Sequence, residues 1–207
     1  MNPKGLLITF EGIDGSGKST QAGKLADWFR RSGRTVLSLR DPGGTDISEQ
    51  IRAILLSRRN AEMDALTELL LYESARAQIV EEKIRPAMHR GDIVIVDRFY
   101  DSTTAYQGYG RGLDRRVIAE ANRIATGGLT PNLTFFVDVS LEEAERRRSR
   151  QKADRMEGED RAFFNRIREG YLSIARLEPD RLRVIDGRPE EDVIAGRIVA
   201  EARKLLE

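Results

Sequence analysis

Short apolar runs alternate along the chain with longer stretches of helical periodicity. Leu6 to Phe10, Thr35 to Leu39, Asp92 to Val96, Leu133 to Val139 and Leu182 to Ile185 predict strands of a buried parallel sheet. Between them, Leu25, Trp28 and Phe29 give an apolar face to Gln21 to Arg31, and a second helix is predicted from about Asp46 to Leu56. Met63 to Met88 reads as one long helix, interrupted at most near Pro86. Helical spacing recurs in Asp114 to Thr126, from Leu141 to about Gln151, and through Phe163, Phe164, Ile167, Tyr171 and Leu172. Pro189, a favoured first-turn residue, opens the last helix. Gly108 to Gly112 reads as a mobile break. The regular alternation predicts a three-layer α/β fold around a central parallel sheet of five strands, as one domain over residues 1–207.

The first strand runs straight into Glu11 to Thr20, EGIDGSGKST, and a helix follows at once. Gly12, Gly17, Lys18 and Ser19 fit the G-x-x-x-x-G-K-[ST] pattern of a phosphate loop. Its glycines let successive backbone N–H groups converge on one anion, and the free N–H groups of the next helix add to that field. Gly12, Ile13, Asp14, Gly15, Ser16, Gly17, Lys18, Ser19 and Thr20 are therefore the candidate nucleotide-binding set. Lys18 is expected at the β- and γ-phosphates, and the Ser19 hydroxyl in the shell of a phosphate-bound magnesium ion. The pattern points to ATP or GTP and does not decide between them.

Composition narrows the setting. A chain of 207 residues and 23.4 kDa can bury a full core, and 35 Lys and Arg against 34 Asp and Glu leave a net charge of +1. Nothing global suggests a nucleic-acid partner. With no cysteine, disulfides, thiolate-bound zinc or iron–sulfur centres and thiol catalysis are excluded. The apolar residues ahead of Glu11 are too few for a signal-peptide core or a membrane span, so the expectation is a cytoplasmic protein.

In sheets of this kind ligands lie beyond the carboxyl ends of the strands. Asp97 and Arg98 stand at such an end, Asp97 placed for magnesium or its water shell and Arg98 for a second phosphate. Arg146, Arg147, Arg148 and Arg150, with Lys152 and Arg155, surround a segment at 149–159 that lacks an apolar stripe. A lid there would bring positive charge onto a transferring phosphoryl group. Arg150 and Arg155 are better placed than Arg146 to move with it, and they join Lys18 and Arg98 as catalytic candidates.

Five segments together closely resemble the thymidylate kinase family of nucleoside monophosphate kinases: FEGIDGSGKST at 10–20, RDPGGT at 40–45, LLLYESARAQ at 69–78, DRFYDSTTAYQG at 97–108 and DRMEGEDRAFFNR at 154–166. The resemblance covers almost the whole chain. It implies transfer of the γ-phosphoryl group of ATP to dTMP, giving dTDP and ADP, with Mg2+ and a homodimer. Carried over, Asp14 contacts the acceptor's 3′-hydroxyl, Tyr72 stacks on thymine, Arg76 hydrogen-bonds to the base, and Arg98 holds the acceptor phosphate. Thr103, Tyr106 and Gln107 surround deoxyribose and base, with Tyr106 a steric check on a 2′-hydroxyl, and Arg40 joins the acceptor site. Asp41 stands where bacterial members commonly have Glu; the shorter carboxylate keeps the charge and leaves direct contact with magnesium open. Gly15 stands where one branch of the family carries arginine. This chain resembles the branch that supplies the arginine from the lid, with Arg150 the first candidate and Arg155 the second.

Residues alone leave two other readings open, a kinase for a different small acceptor and a nucleotide-triggered switch acting through the basic tract. The switch is opposed by the lack of a separate partner domain. For a kinase, the acceptor phosphate is already anionic near neutral pH, so positioning and charge neutralisation carry an in-line transfer without a strong general base, and His89 need play no part.

Overall fold

The computed structural model describes residues 5–148, 155–156 and 158–206. Strand β1 (Leu6–Glu11) is buried on both faces and lies at the centre of the sheet, paired in parallel with β3 (Ile93–Asp97) and β4 (Leu133–Asp138). The edges are β2 (Val36–Arg40) and β5 (Leu182–Asp186), giving the all-parallel order β2-β3-β1-β4-β5. Phe10 and Arg40 both stand level with Asp97, so the ends of three adjacent strands meet at one edge. The five strands and the layered α/β architecture are those expected from the sequence.

Alternation within the strands divides the core. Ile8, Phe10, Ile93, Ile95, Phe135 and Val137 face one layer, where Leu25, Ala26 and Phe29 of α1 (Lys18–Arg31) and Ile194 and Ile198 of α9 (Glu191–Arg203) cover them. Leu7, Val94 and Val96 face the other way, against Ile79 at the end of α3 (Ala65–Ile79) and Ala87 of α4 (Arg85–His89). On that second face Phe136 stacks on Tyr171 of α8 (Arg161–Leu177), with ring centroids 4.6 Å apart.

Several boundaries differ from expectation. Helix α1 starts at Lys18 rather than Gln21, so the last loop residues already form its first turn. The long helix over 63–88 is divided by a π-helical turn at Val80–Ile84 between α3 and α4. Pro86 supplies no N–H and its ring crowds the carbonyl four residues back, so widening the preceding turn relieves both. Of the expected break at Gly108–Gly112, the first three residues are instead wound into structure, and the chain breaks only after Gly110, with Gly112 at φ 78°. Helix α5 (Tyr100–Thr103) continues as a π-helical segment at Thr104–Gly110 in which Gly108 and Gly110 are buried. A Cβ on Gly110 would lie 2.7 Å from the Phe163 ring, so glycine there permits close packing rather than motion. Pro189 precedes α9 instead of opening it. The remaining helices are α2 (Asp46–Leu56), capped by the Thr45 hydroxyl, α6 (Arg115–Thr126), capped by Asp114, and α7 (Leu141–Arg147), capped by Ser140.

Candidate active site

The turn from β1 into α1 begins with a buried strand and ends with free helix N–H groups, as a phosphate cradle requires. Gly17 at its end has φ 92°, a left-handed conformation that glycine adopts without a Cβ penalty. Gly15 has φ 89°, and a Cβ there would lie 2.3 Å from the Ala144 carbonyl oxygen of α7. No side chain fits at that position, so Lys18 remains the loop's only cation. Its ammonium donates to Asp14 Oδ1 at 2.8 Å and lies 4.0 Å from Asp97 Oδ1.

The Ser19 hydroxyl donates to Asp97 Oδ2 in a very short bond, while buried Asp97 Oδ1 has no hydrogen-bond partner. An orphaned carboxylate oxygen beside a loop hydroxyl fits a magnesium ion that keeps water and phosphate oxygens in most of its shell. The described residues contain no cluster of three or more Asp, Glu, His or Cys that could hold a metal ion by themselves. Arg146, Arg147 and Arg188 join the loop in lining this groove, and Arg147 Nη1 lies 3.5 Å from the Ser16 carbonyl oxygen.

A second cavity opens beside the loop, and Asp14 lines both. Its walls include Tyr72, Arg76, Arg98, Thr103, Tyr106 and Gln107, brought together from α3, the β3–α5 turn and the π-helical segment. Arg98 has φ 68°, the one left-handed non-glycine among the described residues, at a cost of about 1–3 kcal/mol. From that turn its guanidinium donates to Asp14 Oδ1 at 2.8 Å and Ser102 Oγ at 3.3 Å, and lies 5.1 Å from the Tyr106 ring centroid. Burial alone would raise the Asp14 carboxyl, but Arg98 and Lys18 outweigh it and hold the group well below the usual carboxylate range. Burial pushes the Tyr106 phenol up to about 12 and also raises that of Tyr72, so both remain neutral donors.

Arg76 lines the cavity yet is held chiefly by the protein. Its Nε donates to Asp41 at 2.6 Å, its Nη1 reaches Glu73, Thr103 (2.8 Å) and Asn122 (3.3 Å), and its Nη2 reaches the Phe99 carbonyl oxygen at 3.4 Å. Asp41 Oδ2 is thereby occupied, Oδ1 is buried without a partner, and burial raises the carboxyl despite Arg76. Gln107 donates to the fully buried Glu68 at 2.8 Å.

Two placements correct the sequence reading. Arg40 is exposed, paired with Glu49 on α2 at 2.9 Å, and lines neither cavity. Arg155 is buried rather than presented to phosphates, paired with Glu68 at 2.6 Å and donating to the Leu55 carbonyl oxygen at 2.8 Å. Arg150 lies outside the described residues. Conversely, Arg52, Ser102 and Met156 line the acceptor cavity, and Arg146, Arg147 and Arg188 line the phosphate groove, without having been singled out for those places. Arg52 carried a usable signal, since it lies in the helix directly after RDPGGT at the ligand-bearing sheet edge.

A parallel sheet whose central strand feeds a phosphate loop, with a second cavity sharing the loop's Asp14, defines a P-loop nucleoside monophosphate kinase fold. The profile of the family described as Thymidylate kinase matches residues 10–198, and the chain belongs to that family. Thymidylate kinase of Caldanaerobacter subterraneus subsp. tengcongensis is 47% identical over 203 residues, covering 98% of this chain and 97% of that protein. That of Chlorobium luteolum is 49% identical over 193 residues, covering 88% and 90%. The crystal structure of thymidylate kinase from Ehrlichia chaffeensis superposes with a TM-score of 0.80 at 33% identity, over 97% of this chain and 99% of that one.

Proposed function

We propose that the two cavities hold ATP and dTMP head to head, with Asp14 and Arg98 at their junction, so that the acceptor phosphate meets the γ-phosphate beside Lys18. The activity is that of the family, transfer of the γ-phosphoryl group of ATP to dTMP with Mg2+. The shared Asp14 carries the reading: it pairs on one oxygen with the cation of each cavity, Lys18 and Arg98. Two phosphates of like charge are drawn together there without a general base. Ser19 and Asp97 hold magnesium, which when bound neutralises charge on the donor phosphates.

Within the acceptor cavity, Tyr72 stacks on thymine, Tyr106 closes the sugar edge against a 2′-hydroxyl, and Thr103 and Gln107 complete the wall. Arg76 keeps one Nη2 hydrogen for the base, its other donors being occupied. The lid over 149–159 supplies Arg150 to the transferring group, within one kinase domain spanning the chain. An acceptor panel with ATP tests this assignment: dTMP should be phosphorylated well ahead of CMP, GMP and AMP, and equal rates for a purine acceptor would overturn it.

The enzyme works as a homodimer in the cytoplasm. Leu70 on α3 and Val117 and Ile124 on α6 are 54%, 49% and 65% exposed, and form an apolar groove with Ala77 and Ala121 between them. Glu73, Arg116 and Glu120 rim it with both signs of charge, which suits a second copy meeting it by two-fold symmetry. Light scattering across a dilution series should find twice 23.4 kDa; a monomer at every concentration would reject this part.

A further inference from the structure

Glu11, the last residue of β1, is fully buried and lines neither cavity, yet its carboxylate gathers three donors, one of them Ser102 in the wall of the acceptor site and the others just behind that wall. Oε1 accepts the Phe99 N–H at 2.7 Å, and Oε2 accepts the Ser102 hydroxyl at 2.5 Å and the Tyr171 hydroxyl at 3.0 Å. The neighbouring Arg98 N–H donates to the Phe10 carbonyl oxygen at 2.8 Å. Both N–H groups of the left-handed turn are thus fixed by the end of β1, and Ser102, held by Glu11, also accepts from Arg98 Nη1.

We propose that Glu11 is a positioning residue for the acceptor phosphate: its carboxylate fixes the Arg98–Phe99 turn and the Ser102 hydroxyl, and so aims the Arg98 guanidinium. This rests on the assignment of Arg98 to that phosphate. A count of protons shows what the carboxylate does. Ser102 and Tyr171 each have one hydroxyl proton and lie 2.9 Å apart; an acceptor-only Glu11 takes both protons at Oε2 and leaves the Ser102 lone pairs to Arg98. A glutamine of the same shape changes this set. With its amide nitrogen toward the hydroxyls, both must rotate their protons away from it, and the Ser102 oxygen then accepts from the amide as well as from Arg98. In the flipped orientation the nitrogen meets the Phe99 N–H, donor against donor.

The charge is held there against opposition. Burial, with the Asp101 carboxylate of α5 behind it, pushes the Glu11 carboxyl up to about 7, while the Ser102 hydroxyl, Arg98 and the Phe99 N–H oppose the rise. Tyr171 from α8 and Tyr106 from the π-helical segment also face it and are themselves raised by burial, so neither competes for the charge. Asp101 is matched by Arg181, which donates to it at 2.7 and 2.8 Å.

Affinities for dTMP and thymidine, measured by calorimetry at pH 8, test the proposal, since thymidine fills the same cavity without a phosphate. Glu11→Gln should lower the dTMP-to-thymidine affinity ratio about tenfold and leave thymidine binding and the KM for ATP within about twofold. A ratio unchanged from wild type, whether both ligands weaken together or neither does, would overturn it. If Glu11→Gln does not fold, Ser102→Ala decides in its place: it keeps the buried carboxylate, and the ratio should fall severalfold or the proposal fails. Arg98→Ala separates the two layers of the argument. If that variant leaves the ratio intact, the assignment of Arg98 is wrong; if it lowers the ratio while Glu11→Gln does not, only the role of Glu11 is.

Discussion

The phosphate loop and the acceptor cavity share one carboxylate and are built in opposite ways. The loop is nine consecutive residues whose work is done mainly by backbone N–H groups, so its chemistry follows from local geometry. The acceptor cavity draws on separate elements, and its cations are wired into the core: Arg76 ties together α3, the β2–α2 connection, Thr103 and α6, and Arg98 is held in a strained turn. Recognition on the acceptor side is therefore inseparable from folding. On the donor side, the loop's cation Lys18 is paired chiefly within its own loop, to Asp14 at 2.8 Å.

The sharpest way to break that contrast is Arg76→Ala. It strands the carboxylates of Asp41 and Glu73, both almost fully buried, and should cost about 3–5 kcal/mol of stability in urea unfolding, together with acceptor affinity. A variant that keeps wild-type stability and loses only dTMP binding would show that recognition and fold are separable after all. Next in size, Arg150→Ala should slow single-turnover transfer about 10²-fold, roughly 3 kcal/mol of transition-state stabilisation, with little change in ATP affinity and with partial recovery in Arg150→Lys. Arg155→Ala should do the reverse, losing about 2 kcal/mol of stability while chemistry stays near wild type, because Glu68 keeps Arg111 and Gln107. Slow chemistry in Arg155→Ala and normal chemistry in Arg150→Ala would exchange their roles.

The smallest expected effect concerns pH. Glu11 has its carboxyl raised from 4.5 to about 7, so it binds protons more tightly folded than unfolded. Its stabilising contribution is complete below about 4.5 and is lost as the pH rises through about 7. Between pH 5 and 8 the wild type should lose on the order of 1–2 kcal/mol that Glu11→Gln does not lose, read from denaturant midpoints at each pH. Parallel pH trends in the two proteins would contradict the raised carboxyl.

Five strands, the loop and the main helices were legible in the sequence because each is encoded by neighbours: short apolar runs, period 3.6, and one glycine-rich turn. The acceptor residues that line the cavity were reached through resemblance, since no local pattern announces that Tyr72, Thr103 and Gln107 meet. What stayed hidden depends on partners distant in the chain. Whether Arg155 faces a phosphate or Glu68 is decided by a carboxylate 87 positions away, and whether Arg40 enters the cavity is decided by Glu49 on the next helix. The winding of Gly110 was hidden for the same reason, for it goes with close contact to Phe163 rather than with the glycine's own preference.

The contact between Gly15 and the Ala144 carbonyl has an evolutionary consequence. In this protein the space a loop side chain would occupy is filled by the backbone of α7. Placing an arginine at this loop position would take a displaced helix as well as a changed codon. A lineage that has packed α7 against its phosphate loop is therefore separated by a structural rearrangement from one that carries a cation at that position.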